Sequence, residues 1–262
     1  MIDLMTLLGV TVGFGVVIYI LAVGNMTSFL LNPQAIILIF GGTFGSVLIS
    51  YPWSALRHVP KALLMMLRPP KRPTPDQLIS SFVILAEKAR RTGLESLAGD
   101  LASAPHPFMA DGLQMLLDGL DAELLRDRFE RDILATRHRH QQVSNIFRSA
   151  GTYAPIFGLL GTLIGVVDVL RHIATPAALG SAMSVAMTAS FYGIFSANFL
   201  FLPIATKLTF YSDEETLNRE LISKGILALL QGDAPWLVSR KLEGYMSYYL
   251  RRGGAKRYKV AA

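Results

Sequence analysis

Four apolar stretches, each long enough to cross a bilayer as a helix, constrain this chain more than any other feature. Such a crossing takes about 20 residues. The stretches run from Leu4 to Val23, Pro33 to Tyr51, Gly151 to Leu170 and Gly180 to Thr206. The first, second and fourth contain no Lys, Arg, Asp or Glu, and the third holds one acid, Asp168, near its end. Composition agrees: 52% of residues are hydrophobic and only 17% are charged, too apolar for a wholly water-facing domain and too apolar for disorder. The fold expected is all-α: a four-span membrane protein with a cytoplasmic helical part, with no strand signal and no internal repeat.

The basic residues orient the bundle. Residues 53–148 hold 14 Lys and Arg, residues 207–262 hold 10, and the last of the 25 is Arg171. Short turns join spans one to two and three to four, and they are otherwise free of basic residues. Positive charge gathers on the cytoplasmic side, so both charged segments and the two termini are expected there. The net charge of +6 is therefore topological, and no nucleic-acid partner is implied. The leading Met1-Ile2-Asp3 lacks the basic start of a signal peptide and no A-x-A site follows, so the first stretch is read as a retained span. The organisation expected is spans one and two over 1–52, a cytoplasmic helical domain over 53–150, spans three and four over 151–206, and C-terminal cytoplasmic helices over 207–262.

Within the cytoplasmic part, Arg68-Pro-Pro-Lys-Arg-Pro-Thr-Pro75 is a helix-breaking linker. Thr74, Pro75 and Gln77 predict a capped helix start, Leu78, Phe82, Leu85 and Ala89 an amphipathic stripe, and Gly93 its end. After the break at Pro105-His106-Pro107, a short helix is predicted over Phe108–Leu120. From Asp121 a long helix runs into span three, its apolar face built from Leu124, Leu125, Phe129, Ile133, Val143, Ile146 and Phe147. Span four likewise continues through Leu217, Leu221 and Leu229 to Gly232 and Pro235.

The chemistry present is sparse. Zero Cys excludes disulfides, thiolate metal sites and a cysteine nucleophile. No P-loop, H-E-x-x-H or G-x-S-x-G occurs, and Arg137-His138-Arg139-His140 reads as a wet helix face, so neither an enzyme nor a bound cofactor or metal is expected. Ion passage through hydrocarbon usually requires a titratable group at mid-membrane depth, and none of the spans carries one there. Asp168 lies near the outer end, spaced for a local pair with Arg171. Gly151, Pro155, Gly158, Thr162 and Gly165 recur instead at helical spacing in span three, as do Ala182, Ala186, Ala189, Gly193 and Ala197 in span four, beside Thr188 and Ser190. Such a face packs helices closely or lines a hydrated crevice. Pro155 and Pro203 each free a backbone carbonyl inside a span.

Ala154-Pro155-Ile-Phe-Gly-Leu-Leu-Gly-Thr162-Leu-Ile-Gly and Phe191-Tyr-Gly…Ala197-Asn…Leu202-Pro203-Ile-Ala, set in a two-plus-two span arrangement, resemble the MotA/PomA flagellar stator family over nearly the whole chain. The resemblance implies a pentamer around a dimer of a single-span MotB/PomB-type partner, which brings the membrane carboxylate that this chain lacks. It implies that Pro155 and Pro203 couple passage of protons or sodium ions to conformational change, with Thr162 and Ser190 facing that carboxylate. Glu87-Lys-Ala-Arg90-Arg91-x-Gly93-x-x-x-Leu97 resembles the family's torque segment, so Arg90, Arg91 and an acidic neighbour would meet the rotor switch protein FliG. The family commonly places Glu directly after that Leu; this chain has Ala98, with Glu95 and Asp100 as the nearby acids. Thr162 and the span-four hydroxyls suit sodium, whereas Ala189, where sodium-type relatives carry a second Thr, leans towards protons; the balance favours protons. The implied location is the bacterial inner membrane. The rivals are a TolQ/ExbB-type energiser, with three spans and its N-terminus outside, and a stand-alone channel, which would conduct without a partner.

Overall fold

The computed structural model describes residues 4–24, 32–67, 69, 72–172 and 176–246, with the side chains of 176–178, 181 and 182 left aside. Arg68, Pro70 and Lys71 of the expected linker, the side chain of Ala182, and most of the turn between spans one and two lie outside the described residues. Every described element is helical. Helix α1 covers Leu4–Val23, α2 Pro33–Ser50 with a π-helical turn at Ile37–Gly41, α3 Trp53–Leu56 and α4 Val59–Leu67. Then come α5 (Pro75–Thr92), a 3-10 segment (Leu94–Ser103), α6 (Pro107–Leu117) and α7 (Ala122–Arg171). Helix α8 (Pro176–Ser196) passes through a π turn at Ala197–Phe201 into α9 (Leu202–Leu230), and α10 is Pro235–Leu242. Among the described residues, four helical stretches are long and apolar enough to cross a membrane. Helix α7 continues for 50 residues, far beyond the ~20 that a crossing needs, as the absence of a breaker before Gly151 predicted.

The chain divides into two compact units: 1–70 with 139–210, and 71–138 with 211–262. In the membrane unit the small residues decide the packing. Ala35 and Ile39 of α2, Ala154 of α7, and Ala189 and Ala197 of the fourth span form one buried cluster. Helix α1 has no buried residue and meets the fourth span at three places. Gly13 faces the Phe199 ring, Phe14 meets Phe195 edge-on at 5.1 Å, and Lys207 donates to the Thr6 hydroxyl. Phe191 and Phe195 of α8 and Phe199 of the π turn, four residues apart, stack at 5.4 and 4.8 Å. Below them Val59, Ala62, Leu63 and Met66 of α4 cover Val143, Phe147, Ile204 and Leu208. Trp53 stays 76% exposed on the short α3, as suits an aromatic at a membrane–water boundary.

The second unit has its own core. Leu78 and Phe82 of α5, Leu113 of α6, Leu125 and Phe129 of α7, and Leu221, Ile222 and Ile226 of α9 are fully buried together. The capping box forms as predicted: Thr74 Oγ1 accepts from the Gln77 amide while Gln77 Oε1 accepts from the Thr74 amide. Gly93, at φ 84°, ends α5 in a conformation that L side chains rarely adopt. Two residues depart from the expected faces: Leu124 is 57% and Leu217 39% exposed. Leu124 immediately precedes buried Leu125 on a helix, so 100° of rotation carries it off the core face. The short helix also begins one residue earlier and ends three earlier than predicted, at Pro107 and Leu117. His106 caps it, its Nδ1 accepting from the Phe108 amide at 3.1 Å.

Candidate functional site

The predicted small-residue faces of spans three and four meet directly. A Cβ added to Gly193 would lie 2.7 Å from the Ala154 carbonyl oxygen and 3.0 Å from the Gly158 Cα. One added to Gly158 would lie 3.2 Å from the Ala189 carbonyl oxygen and 3.4 Å from the Ser190 Cα. Only glycine allows backbones this close, so the packing reading of these faces holds along Ala154–Gly158–Gly161 against Ala189–Gly193. Ala189 is fully buried and its methyl meets the Gly161 backbone. Thr188, 4% exposed, is buried as well.

Thr162 and Ser190 sit differently: both are half-buried, at the margin of the glycine seam. The Thr162 hydroxyl donates to the Leu159 carbonyl oxygen at 2.6 Å. Its proton is thereby turned back into the helix, which leaves oxygen lone pairs facing away from the backbone. The four residues predicted to border an ion path thus divide into two that are buried, Thr188 and Ala189, and two that stay half-buried, Thr162 and Ser190.

The two prolines also differ. Pro155 is half-buried inside the continuous α7 and removes the donor for the Gly151 carbonyl. Pro203 is exposed in the second position of α9 and removes the donor for the Phe199 carbonyl. Directly ahead of it the helix widens into the π turn, closed by the Leu202 amide donating to the Ala197 carbonyl five residues back. A proline inside a span was a legible signal for a local irregularity; its form as a π turn was not. The matching π turn of α2 contains no proline and had no sequence signal. At the outer end, Asp168 lies 3.3 Å from the i,i+4 residue His172, where the sequence spacing predicts a pair with Arg171.

In the second unit, Arg90, Arg91 and Glu95 all lie exposed around the end of α5. Their environments are unequal. Arg91 bonds Glu87 at 2.6 Å, whereas Arg90 and Glu95 make no ion pair among the described residues. Asp100, one of the two acids near Ala98, is held by Lys88 at 2.7 Å. Of the two acids near Ala98, that leaves Glu95 without an ion pair among the described residues. Sequence reasoning missed a second charged cluster. Glu215 accepts from Arg72 at 3.0 Å and from Arg219 at 2.9 Å, with all three side chains less than a fifth exposed. Arg72 also donates to the Tyr211 carbonyl at 2.6 Å, and the Arg219 guanidinium lies 4.9 Å from the centre of the Phe108 ring. Burial, with Arg219 next in weight, pulls the pKa of the nearby His106 below its ordinary value, which keeps its capping nitrogen unprotonated. Among the described residues no group of His, Asp and Glu could hold a metal ion.

Comparison with known proteins covers the same residues. The MotA/TolQ/ExbB proton channel family matches residues 100–221, and the motility protein A N-terminal region matches residues 7–93. Chemotaxis protein PomA of Vibrio alginolyticus is 36% identical over 255 residues, 96% of each chain. Motility protein A of Bacillus subtilis is 37% identical over 223 residues, 85% of this chain and 83% of that one. A chain of the flagellar MotAB stator complex from Bacillus subtilis has a TM-score of 0.88 at 35% identity, covering 95% of this chain and 98% of that one. Span pattern, proline-centred segments and both family matches therefore converge: the chain belongs to the MotA/TolQ/ExbB proton channel family, in its motility protein A branch.

Proposed function

We infer that this chain is the stator subunit of a flagellar motor and works with a single-span MotB/PomB-type partner to turn ion flow into torque. It is a multi-pass membrane motor component, not an enzyme. The observation that carries the reading is a membrane unit with no charge at mid-membrane depth, in a chain of this family. The carboxylate that binds the ion must then come from the partner. Thr162 and Ser190 are the oxygens nearest to open space on the seam, and they hydrate or hand over the ion beside that carboxylate. Thr188 and Ala189 hold the wall behind them. Protons are the ion favoured, since Ala189 stands where the resemblance places a second Thr in sodium-type relatives.

Neutralising the partner's carboxylate removes a buried charge, and the free energy released shifts helices whose ladders Pro155 and Pro203 have already interrupted. The π turn at Ala197–Phe201 supplies a place where one turn can tighten to α geometry. In this reading five copies surround two partner helices, both termini lie in the cytoplasm of a bacterium, lipid covers α1, and Arg90, Arg91 and Glu95 engage the switch protein FliG. The test is to express the chain with its partner in a stator-deficient strain. Rotation is expected, and it should vanish when the partner's membrane carboxylate is replaced by alanine. Rotation that survives this replacement refutes the reading.

A further inference from the structure

Among the described residues of the membrane unit, one buried side-chain oxygen has no hydrogen bond: the Thr43 hydroxyl in α2, 2% exposed. Elsewhere in the same unit, helical hydroxyls turn back to the carbonyl four residues earlier. Thr11 donates to Leu7 at 2.8 Å, Ser50 to Ser46 at 2.7 Å and Thr206 to Leu202 at 2.9 Å. For Thr43 that acceptor would be Ile39, which lies in the π turn Ile37–Gly41 and accepts from the Gly42 amide. The π turn itself has a packing reason. The buried residues of α2 are Ala35, Ile39, Thr43 and Val47, each four after the last. From Ala35 to Val47 an unbroken α-helix would turn roughly 120° beyond three whole turns, which would carry Ala35 off the face that holds Val47. A π turn takes up one extra residue, about 100°, and brings all four into one stripe. Packing of the stripe and bonding of the Thr43 hydroxyl are thus in conflict, and in this structure packing wins.

We propose that α2 is a two-state element with Thr43 as its latch. In the form seen here the π turn holds the stripe and leaves the hydroxyl without a partner. In the other form the turn tightens to α geometry and the hydroxyl bonds the Ile39 carbonyl. The fastenings decide which end moves. At the Ser50 end, two hydroxyl pairs tie α2 to α7: Ser50 with Tyr153 at 2.9 Å and Tyr51 with Ser149 at 2.8 Å. The Pro33 end is capped by its own Asn32 and lies on the glycine seam through apolar contact. Ala35 and Ile39 cluster there with Ala189, and the Leu38 side chain comes within 3.1 Å of a Cβ added to Gly161, next to Thr162. Tightening turns the Pro33 end by about one residue, roughly 100°, and so changes the wall behind Thr162. The two forms stand on the geometry of α2 alone; their use in turning the rotor rests on the stator reading.

The experiment uses the full chain with its single-span partner. Because the chain has no Cys, spin labels can be attached at Gln34 and Leu170, both exposed, with labelled chain diluted in unlabelled chain so that pairs within one copy dominate. Two distances are expected in wild type. Thr43→Val keeps the shape and removes the hydroxyl; it should make the second distance about 2- to 12-fold rarer, the range for one lost hydrogen bond. It should also slow rotation while the unfolding midpoint stays at or above that of wild type, since no buried hydroxyl is left unpaired. Thr43→Ser should restore the second distance and the rotation. A single distance in wild type, or populations unchanged in Thr43→Val, overturns the proposal. So does a lowered midpoint or failed assembly of Thr43→Val, which would mean that a buried water already bonds the hydroxyl in the form described here. Wild-type rotation from Thr43→Val overturns the role of the latch in the motor. A wild-type chain that turns no motor yet shows both distances leaves the two-state helix standing and sinks the stator reading alone.

Discussion

Gly193→Ala is the substitution for which the structure sets the clearest magnitude. The new methyl would lie 2.7 Å from the Ala154 carbonyl oxygen and 3.0 Å from the Gly158 Cα. Both obstacles are backbone, so no side chain can swing aside; one span has to move away from the other. Overpacking of this kind costs about 1–3 kcal/mol. For a chain of this size each kcal/mol shifts an unfolding midpoint by roughly 2–4 °C, so a drop of about 2–12 °C is expected. The assay is thermal unfolding of the purified complex at one scan rate, since membrane proteins seldom unfold reversibly. Gly45→Ala is the control on another span, with nothing within 4 Å of its added methyl. Because the chain has no Cys, single cysteines introduced at Ser190 report independently whether the seam has opened to a water-soluble thiol reagent. A Gly193→Ala midpoint equal to that of Gly45→Ala, with unchanged labelling at 190, would refute the close-packing argument.

Three further outcomes follow from the two units. His106 has a pKa below that of the unfolded imidazole, so acid is taken up first by the open form; the stability the cap gives α6 is full above the unfolded value, pH ~6.5, and is lost as pH falls from there through the lower pKa of the folded form. Hydrogen exchange over 107–117 should therefore speed up on acidification in wild type, and His106→Asn, which caps without titrating, should abolish the pH dependence; His106→Ala should raise exchange about 2- to 30-fold at neutral pH, from a cap worth about 0.5–2 kcal/mol. Glu215→Gln leaves the guanidinium groups of Arg72 and Arg219 sharing a site without their acid; a loss of about 1–3 kcal/mol is expected, read as a lowered midpoint that Glu215→Asp partly restores. Thr162→Ala should slow rotation without lowering the amount of assembled complex, and wild-type rotation should be indifferent to external sodium; a sodium requirement would reverse the choice of ion.

Much of this protein was readable before any coordinates, because the signals concerned are local. Uncharged stretches of bilayer length announce spans, since backbone polar groups in hydrocarbon must be satisfied within the helix. Thr74-Pro75-x-Gln77 and Gly93 mark the ends of α5 through caps that involve only neighbouring residues. The missing membrane acid is a property of composition and needs no fold. What the tertiary structure decided was which member of each chemically similar set is free to act. Glu95 and Asp100 are both acids near Ala98, yet the turn of the chain after α5 gives Asp100 to Lys88, twelve residues earlier, and leaves Glu95 without an ion pair among the described residues. Thr162, Thr188 and Ser190 are all hydroxyls, but the approach of Gly158 to Gly193 buries Thr188 and leaves the other two at the edge. The pairing of Glu215 with Arg72 and the contact of Arg219 with the Phe108 ring join residues far apart along the chain. Their geometry is set by packing, which no spacing within a single segment encodes.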